Sequence, residues 1–410
     1  MCPESPQESR RFGPYKKRGC TINSIPSKTQ LIFFSYLTPM KKYLLALLML
    51  CSSTLPAQHF YLFAGTYTSN GSKGIYVYDF DAATGKVALV SSTDSADNPS
   101  YLCISPDGNF VYAVNEVSRQ QSGLVAAYRF NKTNGTLQLI NRQLSGSENP
   151  CHISITNDAK WLVVANYSGG SLSALPIAAD GSVQPLQQHI IHTGKSVNEQ
   201  RQEKAHVHSV FFSPDQQFLL TPDLGTDQVS IYKFNGAASM PLSEANPPYA
   251  ASAPGSGPRH LEFTANGKYA YVVEELTGTV TAYSFKKGKL KKLATYAGHP
   301  AGATTQHGSA DIHLSPDEKF LYMSNRGNEN TLAIFSVDAK NGLLTPAGIT
   351  STLGDHPRNF LIDPTGQYIL VGNMKSNEVV IFQRNQVTGQ LTPHQRFAIP
   401  SPACLKMLAR

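Results

Sequence analysis

Histidine, arginine and glutamate recur at related points along this sequence. His152, then His206 and His208, then Arg259, His260, Glu274 and Glu275, then His313 and Arg326, and finally Arg358 each lie near the start of one apolar run or the end of the next. Asn166, Asp223, Asn325, Asn359 and Asn373 join them at matching places. These residue types suit two tasks. An imidazole or a carboxylate can take a proton from water as a general base. A guanidinium can hold a carboxylate or phosphate by forked hydrogen bonds and can stabilise an oxyanion. Taken singly, each is as well explained by a loop side chain satisfying backbone groups. Taken together, they describe a small-molecule site for an anion. Other chemistries lack support. There is no GxSxG run for a covalent serine route and no CxxC for zinc or redox work. After residue 57 the cysteines are Cys103, Cys151 and Cys404, an odd number too low for a disulfide framework. No cofactor and no metal is expected. A calcium site would need several convergent oxygens, which the sequence does not place.

The elements that must bring these residues together are repeats. NPSYLCISPDGNFVYAVN starts at Asn98, NPCHISITNDAKWLVVAN at Asn149 and HVHSVFFSPDQQFLLTPD at His206. GPRHLEFTANGKYAYVVE starts at Gly257, SADIHLSPDEKFLYMSN at Ser309 and HPRNFLIDPTGQYILVGN at His356. A seventh copy is split: SPACLKM at Ser401 resembles its first half, and FYLFAGTYTSNGSKGIYVYDF at Phe60 its second. About 350 residues over seven units give about 50 each, the size of a four-stranded propeller blade. In the last full copy, FLID, YILVGN, EVVIFQRN and QLTPHQRFAI read as strands, separated by PTGQ, MKSN and NQVTG. The prediction is an all-β, seven-bladed β-propeller of four-stranded blades, closed by pairing of the two ends of the chain. Up-and-down topology then puts the start of strand one and the end of strand two on one face. The SPDG-type turns fall on the other face, so Asp107, Asp158, Asp215, Asp317 and Asp363 are read as turn formers. Because strand neighbours point to opposite sides, only one of Glu274 and Glu275 can face the mouth. The segment TGKSVNEQRQEKAHVHS, with Lys195, Arg201 and Lys204, is longer than its equivalents and could lie over the mouth as a lid.

Composition agrees with one large folded body. The chain has 410 residues, 41% hydrophobic and 15% charged, which excludes a disordered protein. Its formal charge of +7 is concentrated at the amino end, where residues 1–57 hold eight Lys/Arg and two Glu. The remainder carries 27 basic and 26 acidic residues, so no broad nucleic-acid surface is expected. Met40-Lys41-Lys42, the apolar run YLLALLMLC and the small residue Ala57 read as a signal peptide over 40–57, cleaved near Ala57/Gln58. That run is too short for an ordinary membrane span, so no stable membrane insertion is expected after its removal. Residues 1–39 are read as a gene-model extension, and 58–410 as a single propeller domain. The protein is expected to be periplasmic or secreted, cytoplasmic if the signal is unused, and to act as a monomer.

RQEKAHVHSV at Arg201, GPRHLEFTANGKYAYVVEELTGTVTAY at Gly257, ADIHLSPDEKFLYMSNRGNENTLAIF at Ala310 and HPRNFLIDPTGQYILVGN at His356 carry a resemblance. From about Tyr61 to its end the chain resembles the seven-bladed propeller lactonases, which include bacterial 6-phosphogluconolactonases and fungal carboxymuconate-cyclising enzymes. The resemblance implies a catalytic set of one histidine, two arginines and a glutamate: His208, Arg259, Arg326 and Glu275. It implies opening of an anionic sugar-acid lactone, 6-phosphogluconolactone first, with Glu275 or His208 as general base and the arginines as anion holders. His152, His206, His260 and Arg358, on the same face, are expected to bind substrate. A muconate-type lactonising cycloisomerase and a non-enzymatic binding platform are the alternatives, since a fold does not fix a function.

Overall fold

The computed structural model describes residues 59–410 except 120–121, 301 and 304–306. The expected gene-model extension and signal peptide lie outside the described residues. Among the described residues, seven antiparallel sheets of four strands follow one another, and each packs on the next to close a seven-bladed propeller. In the last full repeat the strands are Pro357–Ile362, Tyr368–Asn373, Glu378–Arg384 and Leu391–Ala398, as its pattern predicts.

Burial explains why strands of one blade read so differently. The second strand is packed on both faces by neighbouring blades, so Tyr368–Asn373 and Trp161–Asn166 are buried throughout and continuously apolar up to a final Asn. The outer strand has one wet face. Lys289–Ala297 therefore alternates exposed and half-buried positions. Each outer strand leaves a sheet edge, which these sequences blunt. Pro346 and Pro393 sit opposite Phe335 and Phe382 at register shifts, and Lys289, Lys291 and Lys292 line another edge.

Closure joins the two ends. Pro402–Ala409 pairs antiparallel with His59–Thr66, placing Leu62 opposite Met407 and Phe63 opposite Lys406. The SPDG aspartates are consumed by their turns. Asp107 accepts from Ser105 Oγ (2.5 Å) and the Asn109 amide (3.1 Å), and Asp215 and Asp317 repeat the pattern.

Two backbone features aim side chains at the channel. Asn149, Gly257, His356 and Ser401 each precede the proline that starts an inner strand, Asn98 precedes Pro99 at the same repeat position, and each has a positive φ between 42° and 65°. Just beyond, the pairing slips between Pro150/His152, Pro258/His260 and Pro357/Asn359. Cys151, Arg259 and Arg358 are the extra residues of these β-bulges, which turn a side chain out of the regular pleat.

Candidate active site

A cavity of about 190 Å³ opens at the face bearing the inner-strand entries. Two repeat positions supply nearly all of its wall. The bulged residue of the inner strand gives Cys151 and Arg358, and the same position in the HVHS copy gives His208. The residue that follows the second strand's last polar position gives Tyr67, Tyr167, Glu275 and Arg326, and the same repeat position in the longer strand Phe110–Arg119 gives Glu116. Arg201 enters from the long segment before His206.

Glu275 organises one wall. Its Oε1 accepts from Arg201 Nη2 at 2.6 Å, and its Oε2 faces Arg259 Nε at 2.9 Å and Arg326 Nη2 at 2.8 Å. Burial alone would push this carboxyl up. The guanidinium groups of Arg326, Arg259 and Arg201 outweigh burial and hold it well below the usual carboxylate range. Glu274 points the other way, as strand alternation requires. It accepts from Thr279 Oγ1 at 2.5 Å, and burial raises its pKa. On the opposite wall Glu116 accepts from Tyr67 Oη (2.8 Å) and faces Arg358 Nη2 (3.8 Å), while Arg358 stacks over the Tyr67 ring at 5.2 Å. Four guanidinium groups meet two carboxylates, which leaves two positive charges over.

His208 lines the same cavity. Its Nδ1 stands 4.0 Å from Cys151 Sγ, and its ring meets Tyr167 edge-on at 5.2 Å. Burial, then the Arg259 charge and other nearby cations, push its pKa well below 6.5, so the imidazole is neutral. Arg326 is fixed from behind by Gly308 O (2.7 Å) and Ser309 O (3.3 Å).

The expected substrate-binding histidines do not line this cavity, and the repeat phase gives the reason. His152 and His260 occupy the position after the bulge, together with Tyr101, Asp311 and Asn359. These form a buried belt beneath the mouth. His152 packs on Tyr101 (4.1 Å between ring centroids) and His260 (5.4 Å), and it lines a separate cavity below the belt. His260 joins Asp311 by Nδ1 at 2.7 Å and Arg259 Nη1 by Nε2 at 3.2 Å. A guanidinium only donates, so the His260 proton sits on Nδ1. Burial, reinforced by Arg259, lowers the His260 pKa to about 3. Asp311 also meets His313 Nε2 (3.1 Å), Asn359 Nδ2 and the Phe360 amide (3.2 Å). Burial opposes a charge on His313, but Asp311 and Glu262 prevail and raise its pKa to about 10. His206 stands beside the mouth. It stacks on Tyr167 (4.5 Å), and its ring nitrogens meet Glu203 Oε1 and Tyr167 O, both at 3.1 Å. Of the substrate-binding set, Arg358 alone lines the cavity; of the catalytic set, Arg259 lies behind Glu275.

The long polar segment contributes Arg201 to the cavity wall. It is anchored by Gln202, which donates to Leu224 O and Asp227 Oδ1, each at 2.8 Å, and by Ser196 Oγ on Asp227 Oδ2 at 2.5 Å. Tyr67, Glu116, Cys151 and Tyr167 are site residues that the sequence reading passed over. Their repeat phase, shared with Arg326, Glu275 and Arg358, is the signal that finds them. Among the described residues no group of three or more His, Cys, Asp or Glu is placed to hold a metal ion.

The family model for seven-bladed β-propeller lactonases matches residues 61–407. A 6-phosphogluconolactonase of Formosa agariphila is 42% identical over 80% of this chain and 94% of its own length. A 6-phosphogluconolactonase of Bacillus subtilis is 33% identical over 84% of this chain and 97% of its own. The structure of the Pseudomonas aeruginosa periplasmic gluconolactonase superposes with a TM-score of 0.82 at 38% identity, covering 86% of this chain and 99% of that one.

Proposed function

Since the chain belongs to the seven-bladed β-propeller lactonase family, we propose that its mouth cavity opens a sugar-acid lactone by hydrolysis. The observation that carries this reading is the charge cluster at the cavity: three guanidinium groups in its wall and a fourth, Arg259, behind Glu275, against two carboxylates and beside a neutral imidazole. Such a site attracts an anion and offers a base next to it.

His208 takes a proton from water, and the hydroxide formed attacks the lactone carbonyl carbon. The carbonyl oxygen becomes an oxyanion, held by Arg326 and Arg358. The ring C–O bond then breaks, and the His208 imidazolium returns its proton to the departing alkoxide, leaving an alcohol and a carboxylic acid, which ionises to the carboxylate by releasing a proton to solvent. Glu275 is not the base because both of its oxygens are taken by guanidinium groups. Its part is to hold Arg201, Arg259 and Arg326 in place.

The names of the two curated relatives and the surplus positive charge favour 6-phosphogluconolactone. A second reading is an unphosphorylated aldonic lactone met outside the cytoplasm. The basic, apolar and small pattern over 40–57 and the likeness to a periplasmic gluconolactonase favour it. We also propose that the protein is exported and works as a monomer, without a nucleic-acid partner.

The test is acid release from a panel of lactones with and without a phosphate, beside a muconate cyclisation assay. A preference of at least about tenfold for one class of lactone, corresponding to about 1.4 kcal/mol, is expected. Inertness toward every lactone, with a protein partner recovered tightly instead, would replace the enzyme by a binding platform. Cell fractionation tests export, and light scattering tests the monomer.

A further inference from the structure

The central channel holds a second cavity, of about 430 Å³, on the far side of the buried belt. It shares no lining residue with the mouth cavity. Its wall combines apolar side chains, Tyr101, Phe211, Ile155 and Met407 among them, with nearly as much polar surface, and it carries one charged group, Lys406. Lys406 comes from the carboxy-terminal strand that closes the ring. Its Nζ lies 4.7 Å from the Tyr101 ring centroid and makes one hydrogen bond, to Tyr101 Oη at 3.4 Å.

The repeat shows that this ammonium lacks a counter-ion in its own layer. The sixth position of each unit gives Cys103, Ser154, Phe211, Glu262, His313, Leu361 and Lys406. Glu262 and His313 pair with each other at 3.3 Å, and the others besides Lys406 are uncharged. In the belt above, the Asp311 carboxylate is already engaged by His260 and His313. Lys406, half-exposed at this cavity, therefore has no ion-pair partner among the described residues and is free to meet an anion there. His152, in the same wall, adds an orphan donor. Its Nδ1 receives the Val210 amide at 3.4 Å, so the ring proton sits on Nε2, and Nε2 is buried without a partner. Buried polar atoms are rarely left in that condition.

We propose that this lower cavity binds a small carboxylate with a flat apolar body, an aromatic acid, whose carboxylate pairs with Lys406 while its ring packs against Tyr101, Phe211 and Met407. The site is separate from the lactone site and does not depend on it.

Benzoate is the probe, titrated calorimetrically into the full chain. Binding with a Kd below about 1 mM is expected. Lys406→Met should weaken it by at least about tenfold, and Lys406→Arg, which keeps the charge, should stay within about threefold. Benzyl alcohol, with the same ring and no charge, should bind at least about tenfold more weakly than benzoate. Arg326→Ala should leave benzoate affinity within about twofold, which separates this cavity from the mouth. Absence of benzoate binding at about 1 mM, equal binding by Lys406→Met, or loss of binding in Arg326→Ala would each overturn the proposal.

Discussion

Glu275→Gln tests the organisation of the mouth most directly. The carboxylate is almost fully buried and has three guanidinium nitrogens at 2.6, 2.8 and 2.9 Å. At an effective dielectric constant near 20, one such pair about 4 Å apart is worth roughly 4 kcal/mol before desolvation. Mutual repulsion of the arginines and the cost of burying the charges cancel much of the sum. Removing one partner of a buried pair typically costs about 3–5 kcal/mol, and that is the expected loss here. Glutamine keeps one acceptor oxygen. Its amide group, however, turns donors toward either Arg201 or the Arg259–Arg326 pair, so one side of the cluster opens. The measurement is urea unfolding, followed by the single tryptophan, Trp161, beside lactone turnover. The pH dependence adds a second check. The folded pKa of Glu275 lies below its ordinary value of 4.5, so its contribution is complete above pH 4.5 and is lost as the pH falls through the folded value. The stability gap between wild type and variant should thus stay level from about pH 8 to about pH 5 and narrow only in stronger acid. Activity should fall at least about tenfold, which is about 1.4 kcal/mol of transition-state stabilisation. A variant within about 1 kcal/mol of wild type at pH 7, with unchanged turnover, would refute the reasoning.

Other expectations follow from the same geometry. His208→Asn should reduce kcat by at least about a hundredfold with little change in folding. Because the His208 pKa is lowered, wild-type kcat/KM should be level above pH 6.5, with any acid limb lying lower; an apparent pKa above 7 would count against His208 as the base. Arg201→Ala, on a half-exposed side chain, should raise KM more than it lowers kcat, and steady-state kinetics would show the split. His313→Gln should destabilise the belt below pH 6.5. The difference from wild type should disappear as the pH rises through about 10, where the native imidazolium loses its proton, and urea titrations across that range would reveal it. Exhaustive chelation should leave lactone opening unchanged; loss restored by calcium would introduce a metal into the mechanism.

Periodicity alone determined the architecture. Seven units of matching length, a split terminal copy and turn residues between short apolar runs specify blades, because a strand's neighbours and its two faces are written into its pattern. The same periodicity assigned the SPDG aspartates to turns, where hydrogen bonds hold them. The resemblance named Arg259, Glu275, Arg326 and His208, and the cavity gathers the last three, with Arg259 directly behind Glu275. The depth of each residue in the channel was decided by the tertiary structure. A β-bulge lifts Cys151 and Arg358 to the mouth and leaves His152 and Asn359, their neighbours in sequence, one layer lower. Arg201 arrives from an irregular segment whose path follows from anchoring hydrogen bonds, for which no repeat exists to compare. A periodic pattern encodes which face a side chain takes. Height along the ring axis and the company of charges from other blades depend on how the strands pack once the ring is closed.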